Sequence, residues 1–276
     1  MEKIKEMDYK TKIKYFSHIA RFCEGKVYSH IRELFDTKDS NLIRDALLDK
    51  EGALLRSIHC YKRPIESVNT FDILLDLLSK VDDDALWKPS RGTTLLYELC
   101  RNSWNWQKDD VFKFVKLLNS IPSSMITQTL TLRGQEHCFN LVHLIVRDFS
   151  DPVPYLQALS TFEGFNSCLT YKEPFHQNTP LHIALKKNTS VDCIKFLLSS
   201  ERGLLAIDMA NDEGVTPFNM MIDSRDSTLH VMAVKCAGDA HKLHGRETLL
   251  KTIEEENKDE NVKETYCKQV QERTNA

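Results

Sequence analysis

The sequence is poor in glycine and proline, nine and eight of its 276 residues, which argues against strand-and-turn architectures and against collagenous or low-complexity chains. A charge excess is also missing: 37 Lys and Arg face 40 Asp and Glu, for a formal charge of −3. Nothing in that balance draws nucleic acid or anionic lipid. The longest nearly uninterrupted apolar stretch, Leu141 to Val146, already contains His143 and falls far short of the roughly 18 to 20 residues that a membrane span needs. The first residues, Met-Glu-Lys-Ile-Lys-Glu-Met-Asp, alternate charge and have no apolar stretch of the kind a secretory signal carries. A cytoplasmic, reducing location is therefore expected. Cysteines at 23, 60, 100, 138, 168, 193, 236 and 267 include no Cys-x-x-Cys, unlike a zinc module or a compact disulfide framework.

Catalytic signatures are equally scarce. The chain has no Gly-x-Gly-x-x-Gly, Gly-x-x-x-x-Gly-Lys, Gly-x-Ser-x-Gly or His-Glu-x-x-His, the common phosphate, hydrolase and metalloprotease patterns. No catalytic, cofactor or metal residue is assigned. His241-x-x-His244 near Cys236 has a metal-like spacing but no clear fourth ligand, and two histidines three apart are ordinary in a chain with ten. Cys23 and His30, two helical turns apart at about 10 Å, are too distant for proton transfer along one helix.

What is present is a repeat. Asn178-Thr179-Pro180-Leu181-His182-Ile183-Ala184-Leu185 precedes Val191 to Leu198, and the opening recurs at Val215-Thr216-Pro217-Phe218-Asn219-Met220-Met221. Thr before Pro predicts a helix start, because the hydroxyl accepts from a free first-turn amide and Pro at the first position loses no bond. Weaker copies open at Gly92-Thr93-Thr94-Leu95-Leu96-Tyr97 and at Asn140-Leu141-Val142-His143. Their second helices are expected at 111–118 and 154–159. A fainter copy opens at Gly52-Ala53-Leu54-Leu55, with its second helix at 71–78. Ser227-Thr228-Leu229-His230 imitates an opening but lies too close to Thr216, and reads as the last unit's second helix.

Thr179 to Leu198 resembles the ankyrin repeat, a finger turn followed by a Thr-Pro-Leu-His-x-Ala helix and a second helix ending in paired leucines. Taking Ala53, Thr94, Asn140, Thr179 and Thr216 as equivalent gives spacings of 41, 46, 39 and 37, against 33 in the family. Inter-helix loops, 101–110 and 61–69 among them, are expected to absorb the surplus. The resemblance implies an all-α ankyrin-type solenoid of helix pairs: an N-terminal helical cap at 1–50, about five repeats over 51–238, and a C-terminal region at 239–276. In the cap, Ile13, Phe16, Ile19, Ala20 and Cys23 form one apolar stripe, and Val27, Ile31, Leu34 and Phe35 another. His244 to Glu256 predicts a last helix with Leu249, Leu250 and Ile253 inward; beyond Glu254 the tail has few apolar residues and is expected to fray. Leu74, Leu75, Leu117, Leu118, Leu197 and Leu198 are expected in the inter-repeat core. His143 and His182 hold the family's histidine position, where the ring ties adjacent turns together; Tyr97 and Asn219 replace it elsewhere.

The resemblance implies non-catalytic binding of a partner protein through the concave groove and the finger turns. Seven residues after each opening residue stand Arg101, Arg147, Lys186 and Asp223. Three successive cations suit an acidic partner segment. The fingers add Trp87 and Arg91, Arg133, Tyr171 and Phe175, aromatic and Arg anchors of the kind interfaces use, although Trp87 and Phe175 can equally pack beneath their own turns. The expected protein is a monomer without cofactor, nucleic acid or membrane span. Its irregular repeats and Glu/Lys-rich tail are similar to those of ankyrin effectors of intracellular bacteria, and an adaptor role fits equally. The alternative is an enzyme with catalytic residues in the N-terminal helices. A converging buried polar cluster near residues 1–50 favours it, and an exposed apolar helix face there favours an adaptor.

Overall fold

The structure, a computed structural model, describes residues 7–22, 27–48, 74, 76–81, 83–90, 93–101, 111–132, 139–243 and 247, with the side chains of 17–22 and 27–30 left out. Among these residues the chain is helical, and the one β-type pairing is an isolated bridge between Ser90 and Thr93. No described helix is long and apolar enough to cross a membrane. The chain divides into two compact units, Met1–Leu132 and Arg133–Ala276.

In the first unit, α1 (Tyr9–Phe22), α2 (Val27–Asp36) and α3 (Ser40–Leu47) precede the short α4 (Asp84–Trp87), then α5 (Leu95–Arg101), α6 (Val111–Asn119) and α7 (Ser123–Thr131). Aspartates start two of them: Asp39 accepts from the Leu42 N–H and Asp83 from the Ala85 N–H, each satisfying a first-turn amide. Helix α3 packs between α1 and α4. Ile13, Phe16, Ile31, Leu34 and Phe35 of the expected stripes are buried with Leu42, Ile43 and Leu47. The side chains of Ile19, Ala20 and Val27, residue Cys23, and most of the faint first repeat lie outside the described residues.

The second unit runs α8 (Leu141–Asp148), α9 (Val153–Leu159), α10 (Phe165–Thr170), α11 (Pro180–Lys186), α12 (Val191–Leu197), α13 (Glu201–Leu205), a 3-10 turn (Ala206–Asp208), α14 (Pro217–Ile222) and α15 (Ser227–His241). Each Thr-Pro opening begins a helix as its chemistry dictates. Thr179 caps α11 and Thr216 caps α14, both closing capping boxes with Pro at the first turn. Ser227 belongs to the helix packed on α14, and that helix runs past residue 238 to His241.

Helices of like position pack on one another, α8 on α11, α11 on α14, α9 on α12 and α10 on α13. This all-helical stacking is compatible with a solenoid. Leu117, Leu118, Leu197 and Leu198 are buried as expected, with Leu74, each worth about 1.5–3 kcal/mol when fully removed from water.

The helix-pair expectation needs correcting. Between α9 and the next finger lies α10, and between α12 and the next finger lie α13 and its 3-10 turn. A third short helix, rather than a longer inter-helix loop, takes up the surplus length in this unit. Ser200 starts α13 by accepting from the Gly203 N–H. A Cβ at residue 203 would collide with the Leu197 carbonyl, so glycine is what lets α13 turn so tightly against the end of α12.

Candidate functional site

The two motif histidines are explained by their bonds. Thr179 Oγ1 accepts from the His182 N–H, and the Thr179 N–H donates to His182 Nδ1 at 3.1 Å. Nδ1 is therefore the acceptor, which leaves Nε2–H to donate to the Val215 carbonyl at 3.0 Å. His143 spans the same gap, with Nε2 3.1 Å from the Asn178 carbonyl. Here the cap is Asn140, whose Oδ1 accepts from the His143 N–H and also lies 2.8 Å from Nδ1, while its Nδ2 donates to the Cys168 carbonyl. Both oxygens facing the ring are acceptors, so a neutral His143 can donate to only one of them. Burial pushes the pKa of His143 down to about 3 and that of His182 to about 4, against the opposing pull of the carbonyls they face. Both rings are thus neutral at pH 7.

Arg147 and Tyr171, expected at the surface, converge on the first of these rings. Phe139 stacks on His143 with centroids 5.3 Å apart, and Tyr171 meets it edge-on at 5.7 Å. The Arg147 guanidinium lies over Phe139 at 4.8 Å, a cation–π contact. It also forks onto Asp148, Nε and one terminal nitrogen each 2.7 Å from a carboxylate oxygen. Arg101 likewise pairs with Glu98 at 3.4 Å. Two cations of the expected stripe therefore carry carboxylates from their own helices, whereas Lys186 is exposed and makes no ion pair among the described residues. The adjacent Lys187 donates to the Phe149 carbonyl at 3.2 Å and the Val146 carbonyl at 3.5 Å, capping the C-terminal end of α8. Partial burial lowers its pKa.

The finger between α10 and α11 is organised by a residue outside the repeat motif. Glu173 is buried, 1% exposed. Its carboxylate accepts from the Phe175 N–H at 2.7 Å, the His176 N–H at 3.0 Å, and Asn178 through both its N–H and Nδ2. A glutamate in a loop ordinarily reads as solvated. Its partner Asn178 stands five residues on, directly before the cap. Around this lock the chain turns tightly, with Gln177 at φ 55, and presents Phe175, 41% exposed, at its tip. The next finger is tied on: the Asp212 N–H donates to the His176 carbonyl, Lys172 Nζ to the Ala210 carbonyl, and Asn211 Nδ2 to Asn178 Oδ1.

Trp87 is not part of an exposed surface. It is fully buried beneath its own short helix, because the Asp83 cap turns the chain so that Leu86 and Trp87 face inward. Arg91 and Arg133 lie outside the described residues, as do His244 and Cys23. Near the N-terminus a polar cluster does converge. Asp45 accepts from Tyr9 Oη at 2.7 Å, Arg44 Nε at 2.8 Å and Ser90 Oγ at 3.0 Å, and Arg44 also donates to the Ala85 carbonyl. These bonds hold the Asp45 pKa low against its own burial. Both carboxylate oxygens are engaged, so the cluster ties α1, α3 and α4 together. Among the described residues no three His, Cys, Asp or Glu are grouped to hold a metal ion.

No family model, curated protein or solved structure matches this chain.

Proposed function

We propose that the chain is a non-catalytic protein-binding module of ankyrin type, holding a partner segment along the finger turns and the adjoining ends of α8 and α11. The observation that carries this reading is the Glu173 lock. It fixes the finger so that Phe175 meets a partner with little conformational freedom left to lose, which is how rigid aromatic anchors raise affinity. Lys186, exposed and without an ion pair among the described residues, supplies the positive charge expected to favour an acidic segment. An adaptor or secreted effector acting in the cytoplasm fits this role, as a monomer without a cofactor.

The test is selection of protein fragments from a displayed library on the immobilised full chain, repeated with Phe175→Ala and with Lys186→Glu. Fragments that carry Asp or Glu and lose at least tenfold affinity to either variant support the reading. Fragments bound equally by all three proteins, or no enrichment over an unrelated helical protein, overturn it.

A further inference from the structure

The charge that follows each cap by seven residues changes sign in the last unit. Arg147 follows Asn140 and Lys186 follows Thr179 at this distance, whereas Asp223 follows Thr216. Arg147 and Lys186 lie in the last turns of α8 and α11, where a cation meets the negative end of a helix. Asp223 is the C-cap of α14, so it places a negative charge at that same end, the less stable choice. It is exposed and, like Lys186, makes no ion pair among the described residues. One turn earlier on the same helices, Ile183 and Met220 are half-buried, and residues three apart share a helix face. Because α11 packs on α14, the four residues make one patch, with two apolar side chains and, beyond them, a cation and an anion about 8–10 Å apart. The finger that leads into α14 repeats the sign, with Asp212 and Glu213 both exposed.

We propose that this patch selects a partner segment carrying charges of both signs, an acidic residue over Lys186 and a basic residue over Asp223, with an apolar side chain between them on Ile183 and Met220. The spacing follows from the stack. Three residues of polyproline-type extended chain cover about 9 Å and bring the side chains back to one side, so the two charges belong about three residues apart. A wholly acidic segment is repelled at Asp223, and a wholly basic one at Lys186; like charges brought together at an interface exclude the wrong partner. This inference rests on the partner-binding reading and adds the chemistry of the segment to it.

Selection of random peptides displayed on phage, with the immobilised full chain, tests it. Enriched peptides should carry an acidic and a basic residue about three apart. Asp223→Lys should weaken them at least about threefold, as exchange of one exposed attraction for a repulsion does. Replacing the peptide's basic residue by Glu should weaken binding to the native chain by a similar factor and restore it towards Asp223→Lys. Peptides that depend on Phe175 and Lys186 but bind Asp223→Lys unchanged overturn the two-sign segment and leave the partner-binding reading standing, as do enriched peptides with acidic residues alone. Absence of enrichment, or enrichment indifferent to Phe175→Ala and Lys186→Glu, overturns both. Asp223→Lys should fold with an unchanged or raised denaturation midpoint, since a cation suits the end of α14. Should the midpoint fall, Asp223→Asn removes the charge alone; peptides whose affinity then loses its dependence on their basic residue support the proposal, and an undiminished dependence overturns it.

Discussion

His143 and His182 make the same bond one unit apart: Nε2 of the first lies 3.1 Å from the Asn178 carbonyl, and Nε2 of the second 3.0 Å from the Val215 carbonyl. In each case the acceptor is the residue directly before the next helix cap, Thr179 or Thr216. The imidazole thus fastens one helix start to the turn that precedes the following one. Asn219, at the equivalent place in α14, keeps only the local half of this arrangement, accepting from Thr216 through both its N–H and its hydroxyl.

These rings predict a pH dependence. Folding lowers the pKa of His182 to about 4 and of His143 to about 3, below the ordinary 6.5, so in that interval the unfolded chain binds protons that the folded chain does not. The stabilisation is complete above pH 6.5 and is lost as pH falls, by about 1.4 kcal/mol per pH unit for each histidine. Urea titrations at pH 7, 6 and 5 should show this decline. His182→Asn, which mimics the residue in the next unit, should remove about half of the slope; an unchanged slope would disprove the assignment of neutral buried rings.

How much of this was legible follows from how local each signal is. Thr179-Pro180 and Thr216-Pro217 carry their instruction within four residues, so both helix starts, and the histidine that depends on one of them, could be read directly. The third helices could not: Phe165–Thr170 and Glu201–Leu205 are five or six residues long, too short for apolar periodicity to register, and α13 exists because of a backbone approach at Gly203. Trp87 allowed two readings, an interface anchor beside Arg91 or a side chain packed beneath its own turn; Asp83 before Leu86-Trp87 is a cap before an apolar pair, and the inward reading holds. The pairing of Arg101 with Glu98 was open to view at three-residue spacing; that of Glu173 with its own turn was not, because it depends on a tertiary fold that buries the carboxylate.

Gly203→Ala should destabilise the second unit by about 3 kcal/mol, since the new methyl meets the Leu197 carbonyl, a backbone atom that cannot swing away. Gly214→Ala is the control. Its Cβ would meet nothing within 4 Å, but φ of +75 still disfavours a side chain, for a loss of about 1 kcal/mol. Equal midpoints in a denaturant titration would contradict the tight approach of α13 to α12.

Leu197 and Lys186 lie on consecutive helices with opposite surroundings, the first 2% exposed and the second open to solvent. Leu197→Ala should cost about 2–5 kcal/mol by opening a cavity. Lys186→Ala should stay within about 0.5 kcal/mol of the parent. Similar losses for the two would contradict the stacking of α12 on α9.

Glu173 gives the sharpest separation between folding and presentation. Its carboxylate serves the Phe175, His176 and Asn178 amides from a position 1% exposed, so Glu173→Gln keeps the shape while removing the charge and turning one acceptor into a donor. Each amide left without a partner costs about 1–3 kcal/mol, and relaxation of the finger returns part of that, for an expected net loss of about 2–4 kcal/mol. The loss should be local: hydrogen exchange at 175–178 should accelerate by at least about tenfold while α9 and α12 keep their protection, because the leucine core and the bond from His182 to the Val215 carbonyl do not involve Glu173. Raising salt should change the loss little, since the carboxylate and its donors are shielded from mobile ions. Exchange that accelerated uniformly across the unit would instead make Glu173 a general stabiliser, and would remove the physical basis for a preset finger carrying Phe175.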